Sequence, residues 1–181
     1  MYSSIPSYWI VVHPRARKWG ESHRAPLKKL GPIWFAMWVA GFVITYPWRG
    51  RLMYDTPWSW ACAVPFFALG FWIYSRAHQQ FTHDQILGRS ELQPEKHEQR
   101  LVTQTGIRQQ VRHPIYLGHL VELTGWTIGT GMVVTYALLA FAIVTGVVMI
   151  RMEEAELVQR FGEPYREYQK RVPAIIPRPH I

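Results

Sequence analysis

The chain has 181 residues, of which 49% are hydrophobic and 14% aromatic, and its 20 Lys and Arg against 12 Asp and Glu give a formal net charge of +8. This length fits one domain, the apolar content excludes a disordered chain, and the single cysteine, Cys62, excludes a disulfide scaffold. The mean hydropathy of -0.07 hides segregation, because the apolar residues occur in blocks and the charges lie between them.

Apolar blocks follow one another along the chain, and each predicts a helix. They run from Gly31 to Trp48, Pro57 to Ser75, Pro114 to Gly131 and Met132 to Ile150. A helix that crosses a bilayer needs about 20 mostly apolar residues, and the first two blocks are near the lower length limit. Only the turn at 129–131 separates the last two blocks, which predicts a tight helical hairpin. A soluble bundle with apolar helices is the alternative.

The distribution of Lys and Arg between the apolar blocks indicates a membrane topology. Six precede the first block, two lie between the first and second, six between the second and third, none in the hairpin turn, and six follow the last. Lys and Arg accumulate in the cytoplasmic loops of membrane proteins. This alternation predicts an all-α polytopic membrane protein with four transmembrane helices and both termini in the cytoplasm.

One domain therefore has five consecutive parts. They are an interfacial segment at 1–30, two spans at 31–75, a cytoplasmic connector at 76–113, the hairpin at 114–150 and a cytoplasmic tail at 151–181. The first part is expected to lie on anionic membrane lipids. The distribution of basic residues argues against a nucleic-acid partner, and no ligand spacing predicts a metal site.

The motif RHPIYLG at Arg112 to Gly118 lies between two further strings, LVTQTG before it and EEAELVQRFGEPYREYQKRVPAIIP after the hairpin. In order and spacing, this combination resembles the isoprenylcysteine carboxyl methyltransferase and phospholipid methyltransferase superfamily of integral-membrane enzymes. The resemblance covers the chain from Leu101 onward. It implies transfer of a methyl group from S-adenosyl-L-methionine, held at the cytoplasmic ends of the last helices, to a lipophilic small molecule or lipidated acceptor.

The resemblance also implies cofactor-binding residues, which are Leu101, Val102, His113, Pro114, Tyr116, Gly118, Glu153 and Glu154. This chain departs from the pattern at two positions. Arg108 stands where isoprenylcysteine enzymes often have tyrosine, and Met149 aligns near the arginine that those enzymes direct at a substrate carboxylate. That role is either vacant or moved to Arg151.

The residues at the start of the third block also have the charges and hydrogen-bonding groups that such a cofactor needs. Pro114 is well placed as a first helical residue, and the free N–H groups at a helix start favour an anion such as the cofactor carboxylate. Glu153 and Glu154 follow the last block and are expected near that helix start, where a carboxylate accepts hydrogen bonds from an ammonium or from ribose hydroxyls. The alternatives are an ordinary helix start at His113 and a solvated helix face.

Polar residues inside the third block carry independent information. Tyr116, His119 and Glu122 are spaced by three, so they share one broad helix face, and polar groups at membrane depth face a cavity or a partner. A structural hydrogen bond between His119 and Glu122 and a role in the acceptor pocket both stay open. Either residue would remove the proton of an amine or thiol acceptor, whereas a carboxylate needs no base.

Small and aromatic residues nearby also have two interpretations each. Gly118 and Gly125 either let helices pack closely or, for Gly118, admit the cofactor. Tyr165 and Tyr168, with Phe161, are expected to pack a re-entrant tail against the helices or to cover the adenine.

Two other functions are compatible with the same sequence motifs. Sterol reductases have a similar RHPxYxG region and use NADPH there, although they are much longer proteins. A non-enzymatic membrane adaptor on the same scaffold is the second alternative. Cofactor binding separates these functions from a methyltransferase.

Overall fold

The computed structural model describes residues 26–79 and 106–177, which form α-helices joined by short turns. The helices are α1 (Pro26–Thr45), α2 (Trp58–His78), α3 (Pro114–Thr130), α4 (Val133–Phe161) and α5 (Glu163–Arg171), with short 3-10 helices at Tyr46–Trp48 and Gly106–Gln109. These two ranges contain no β-strand, only an isolated bridge between Leu52 and Met132. The all-α prediction is confirmed for them.

Helices α2 and α3 form the most extensive helix pair, and glycines bring them close together. A Cβ atom added to Gly70 would lie 2.7 Å from Cγ of Glu122, and one added to Gly118 would lie 3.2 Å from the ring of Tyr74. Gly125 is similarly close to Phe67, at 3.2 Å. Aromatic side chains therefore fill the space beside both glycines, as close helix packing requires, and a role for Gly118 in admitting the cofactor stays a prediction.

The predicted hairpin between α3 and α4 is present. Helix α3 ends at Thr130, and Gly131 takes a left-handed φ of 59°, which a glycine adopts without strain. The loop after α1 binds this turn, because the hydroxyl of Tyr54 donates to the Ile128 carbonyl at 2.7 Å and the Met53 N–H donates to the Gly131 carbonyl at 2.8 Å. Both turns therefore lie at one end of the bundle.

Helix α4 is the one helix within the described ranges that is long and apolar enough to cross a membrane. Only 11% of its most apolar 18-residue stretch is buried within the molecule. The uncharged part ends at Ile150, and the remainder of the helix to Phe161 contains its charged residues. The four-span arrangement stays a prediction.

Candidate functional site

The RHP segment lies against the chain that follows α5. Pro114 is the first residue of α3, with His113 as its N-cap, as the sequence predicts. The backbone N–H groups of Arg112 and His113 donate to the carbonyls of Pro173 and Ala174, each at 2.9 Å. The end of the tail thus pairs with the approach to α3, and it uses two N–H groups next to the predicted anion site.

A turn at Gly162 brings the tail back to this position. Gly162 has a φ of 64°, and its N–H donates to the Val158 carbonyl at 2.9 Å, closing α4 before α5 begins. Tyr165 and Tyr168 on α5 are each 2% exposed and pack with apolar residues of α4, including Phe161. The prediction that these tyrosines pack a re-entrant tail is confirmed, whereas a role beside the adenine stays a prediction.

Arg112 joins three segments of the chain. Its Nε and Nη2 atoms lie 2.7 Å and 2.5 Å from Oε1 of Glu154, and its Nη1 donates to the Gln169 carbonyl at 3.0 Å and also to the Val172 carbonyl. The two side chains are 9% and 17% exposed. A guanidinium satisfied in this way fixes the start of α3 against α4 and α5.

The Glu154 carboxylate forms further hydrogen bonds with side chains on two sides. Its Oε1 lies 3.1 Å from Nε2 of His113, and its Oε2 accepts from Nε2 of Gln169 at 3.2 Å. Burial alone would raise the pKa of Glu154, but the hydrogen bonds from His113 and Arg112 outweigh burial and lower it. Glu154 is therefore an anion held by the protein's own side chains.

Glu153 differs from its neighbour. Its Oε2 is buried and accepts no hydrogen bond from any described residue, and it lies 3.5 Å from Nδ1 of His113, an ion-pair distance rather than a good hydrogen bond. Burial lowers the pKa of His113, but Glu153 and Glu154 outweigh burial and raise it. Of the two adjacent carboxylates, Glu153 is the one with acceptor capacity left for a ligand. We call Arg112, His113, Glu153, Glu154 and Gln169 the charge cluster.

Tyr116 belongs to this end of the molecule, but His119 and Glu122 lie farther along α3. The ring centroids of His113 and Tyr116 are 5.7 Å apart. His119 hydrogen-bonds through Nδ1 to the hydroxyl of Tyr74 on α2, and Glu122 packs against Gly70 of the same helix. The structure thus separates the predicted residues into a group at the start of α3 and a group along the α2–α3 interface.

Other predicted residues have individual positions. Arg151 is exposed on α4, directly after the buried Met149 and Ile150. Leu101 and Val102 lie outside the described residues.

Sequence reasoning missed the partners of these residues. The sequence identifies Arg112 as part of the RHPIYLG motif but predicts no contact for its side chain. It does not identify Tyr74 or Gln169 as site residues. No periodicity links Tyr74 to His119, which are 45 residues apart, or Arg112 to Glu154, which are 42 apart. These contacts depend on how the helices pack.

Curated relatives of the chain are methyltransferases. It is 44% identical over 70 residues to methanethiol S-methyltransferase 1 of Bradyrhizobium diazoefficiens, a match that covers 37% of this chain and 23% of the relative. It is 32% identical over 124 residues to protein-S-isoprenylcysteine O-methyltransferase of Schizosaccharomyces pombe, covering 64% of this chain and 48% of the relative. It is 36% identical over 106 residues to protein-S-isoprenylcysteine O-methyltransferase B of Arabidopsis thaliana, covering 56% and 48%.

The aligned part of the chain spans less than half the length of each of these three relatives. No family model matches the chain, and no solved structure matches it. The resemblance seen in the sequence is nonetheless confirmed at modest identity: the chain is a homologue of methanethiol S-methyltransferases and of the protein-S-isoprenylcysteine O-methyltransferases of the isoprenylcysteine carboxyl methyltransferase family.

Proposed function

We propose that the protein is an integral-membrane methyltransferase that transfers a methyl group from S-adenosyl-L-methionine to a lipophilic or membrane-embedded acceptor. Its homology to S- and O-methyltransferases supports the reaction class. The observation that carries the proposal is Glu153, a half-buried carboxylate whose buried Oε2 atom has unused acceptor capacity beside His113 at the start of α3.

The residues at this position fit such a cofactor. S-adenosyl-L-methionine supplies a methyl group on a positively charged sulfur, together with an ammonium and hydroxyl groups that need acceptors. Glu153 would accept a hydrogen bond from the ammonium or the ribose and would provide a negative charge for the sulfonium. His113, Pro114 and Tyr116, at the adjoining helix start, are the further proposed cofactor-binding residues. Leu101, Val102 and Gly118 complete the proposed set, whereas Glu154 mainly holds Arg112 and His113 in place.

Catalysis of this transfer is mainly a matter of alignment. The acceptor must attack in line with the departing sulfur, in a site that excludes water. For an amine or thiol acceptor, we propose that His119 or Glu122 removes the proton, and for a carboxylate acceptor that Arg151 attracts it. In the proposed topology, His119, Glu122 and Arg151 lie on the membrane side of the charge cluster, where an acceptor would arrive from the lipid.

The proposed topology has four spans with both termini in the cytoplasm. The two turns bind each other at one end of the bundle, while the charge cluster lies at the other. Large apolar side chains on α1 and α2 point outward, among them Phe35 at 69% and Phe71 at 72% exposure. Exposed apolar surface of this kind suits lipid contact better than water.

Cysteine labelling tests the topology. In a Cys62→Ser background, Asp55→Cys and Lys170→Cys place one thiol at each end of the bundle, both at exposed positions. An impermeant maleimide added to intact cells should label Asp55→Cys, and should label Lys170→Cys only after the membrane is opened. Labelling of both variants in intact cells would contradict the topology.

Equilibrium binding tests the cofactor site. Detergent-solubilised wild type should bind S-adenosyl-L-methionine, and Glu153→Gln should bind it about 10- to 100-fold more weakly, as expected for loss of a charge-assisted hydrogen bond. Glu163→Gln is the matched control, because it removes the same charge at a site 61% exposed on α5. Binding of NADPH instead would favour a reductase, and binding of neither ligand would favour an adaptor.

A further inference from the structure

The imidazole of His113 lies between two carboxylates of α4. Its Nδ1 atom is 3.5 Å from Oε2 of Glu153 and its Nε2 atom is 3.1 Å from Oε1 of Glu154, and the side chain is only 4% exposed. A neutral imidazole has one N–H group and one nitrogen with a lone pair, whereas an imidazolium has an N–H group on both nitrogens. The neutral form would therefore direct a lone pair at a carboxylate oxygen. The geometry fits the protonated form.

A protonated His113 also balances the charges of the charge cluster. Nη2 of Arg112 lies 2.5 Å from Oε1 of Glu154, so this arginine is the counter-ion of Glu154. His113 is the cation next to Glu153, whose buried Oε2 accepts no hydrogen bond from any described residue. With His113 protonated, the two positive charges match the two negative ones. With His113 neutral, the charge cluster has one negative charge in excess.

The groups that surround His113 on the other elements keep their charge state near neutral pH. Tyr116 of α3, with its ring centroid 5.7 Å from that of His113, is a phenol, and phenols are neutral near pH 7. On α5, burial raises the pKa of Tyr165 and of Tyr168, so both stay neutral as well. Arg108, whose carbonyl accepts from Tyr168, keeps its proton as guanidinium groups do. Burial lowers the pKa of His113, but the two carboxylates outweigh burial and raise it above 6.5, so His113 alone among these groups titrates near neutral pH.

The cofactor and its product differ in the charge that they would bring to Glu153. S-adenosyl-L-methionine has a sulfonium, an ammonium and a carboxylate, which together leave one net positive charge. S-adenosyl-L-homocysteine, the thioether that remains after methyl transfer, has lost the sulfonium charge and is neutral overall. Two cations beside one partly buried carboxylate repel each other, which favours loss of a proton from the one that can titrate. A neutral product causes no such repulsion.

We infer that His113 distinguishes the cofactor from its product, because it exchanges its own positive charge for that of the sulfonium. When the cofactor binds, the N–H bond at Nδ1 breaks, the electron pair stays on the nitrogen, and the proton leaves to the solvent. When only the neutral product is left, Nδ1 takes a proton back from the solvent and again neutralises Glu153. The inference rests on the proposed function and specifies how its site separates the two ligands.

Calorimetry of the detergent-solubilised protein tests the inference by counting protons. Binding of each ligand is measured at about pH 6.5 in two buffers of different ionisation enthalpy, and the difference between the two binding enthalpies gives the number of protons released. Wild type should release about 0.5 to 1 proton with S-adenosyl-L-methionine and less than about 0.2 with S-adenosyl-L-homocysteine. Arg166→Gln, which removes a charge at an exposed position of α5, should behave as wild type.

The same proton exchange makes cofactor affinity depend on pH. A ligand whose binding releases a proton binds more tightly as pH rises. From about pH 5.5 to about pH 7, where the ammonium of either ligand keeps its charge, the affinity for S-adenosyl-L-methionine should rise about 5- to 10-fold and that for S-adenosyl-L-homocysteine less than about 2-fold. His113→Asn should abolish both the proton release and this pH dependence. The ratio of two affinities within one variant is insensitive to partial loss of folded protein, so a merely structural role for His113 would leave its pH dependence unchanged.

Three results would overturn the inference while leaving the proposed function intact. They are equal proton release with both ligands in wild type, uptake of a proton with S-adenosyl-L-methionine, which would indicate that its carboxylate lies on the imidazolium, and release that persists in His113→Asn. If His113→Asn does not fold or bind, the comparison of the two ligands in wild type decides alone. Failure of wild type to bind either ligand would instead refute the proposed function, and the inference with it.

Discussion

Replacing Glu154 by glutamine removes one negative charge from the charge cluster with little change in shape. Arg112, only 9% exposed, then keeps its positive charge without its counter-ion, and His113 loses an acceptor. Removing one partner of a fully buried ion pair costs about 3–5 kcal/mol. Because Glu154 is 17% exposed, we expect about 2–3 kcal/mol here.

Thermal unfolding of the detergent-solubilised protein at one scan rate measures this loss. A cost of about 2–3 kcal/mol should lower the midpoint by about 4–12 °C for a chain of this size. Glu153→Gln should cost about 1 kcal/mol or less, since Oε2 of Glu153 accepts no hydrogen bond from the described residues. Glu163→Gln, on the exposed face of α5, should change the midpoint little.

Equal losses for Glu153→Gln and Glu154→Gln would refute the distinction between the two carboxylates. A double-mutant cycle checks the cause. Arg112→Met combined with Glu154→Leu should cost at least about 1 kcal/mol less than the sum of the single changes, because neither charge is then left without the other. Additive losses would show that the two side chains are not energetically coupled.

Two further predictions concern pH and backbone conformation. His113, with its pKa raised above 6.5, stabilises the fold below that pH and loses its contribution as pH rises through the raised value, while Glu154, with its pKa lowered below 4.5, contributes above 4.5 and loses its contribution as pH falls. The unfolding midpoint should therefore be highest between these values, and His113→Asn should flatten the alkaline side of the profile. Gly131→Ala should lower stability by about 2 kcal/mol or more, because φ is 59° and the new Cβ would lie 2.6 Å from the Tyr54 carbonyl oxygen, whereas Gly146→Ala has no atom within 4 Å and should be neutral or stabilising.

Local signals in the sequence were sufficient to predict the boundaries of the last three helices, but not those of the first, because the predicted block from Gly31 to Trp48 differs from α1, which spans Pro26–Thr45. Proline at 114 begins α3, Gly131 ends it before α4, and Gly162 separates α4 from α5. Each of these signals acts through the backbone conformation of the residue itself, so it can be read without knowing the tertiary structure.

The partners of the site residues were not predictable in the same way. Glu153 and Glu154 are adjacent and chemically identical, but successive helix positions point about 100° apart, so only the positions of α3 and α5 decide which one meets Arg112. Likewise, Tyr74 fills the space beside Gly118 because of the close approach of α2 and α3. The sequence left both questions open, and the packing of the helices answers them.

Transfer of a labelled methyl group most directly tests whether this chain is a membrane methyltransferase. Membranes containing wild type, Glu153→Gln or Glu163→Gln are incubated with S-adenosyl-L-methionine labelled in its methyl group, and the lipid extract is fractionated. We expect label in a lipophilic species with wild type and Glu163→Gln, and strongly reduced label with Glu153→Gln. Absence of label with wild type, or equal labelling with Glu153→Gln, would contradict the proposed function or its site.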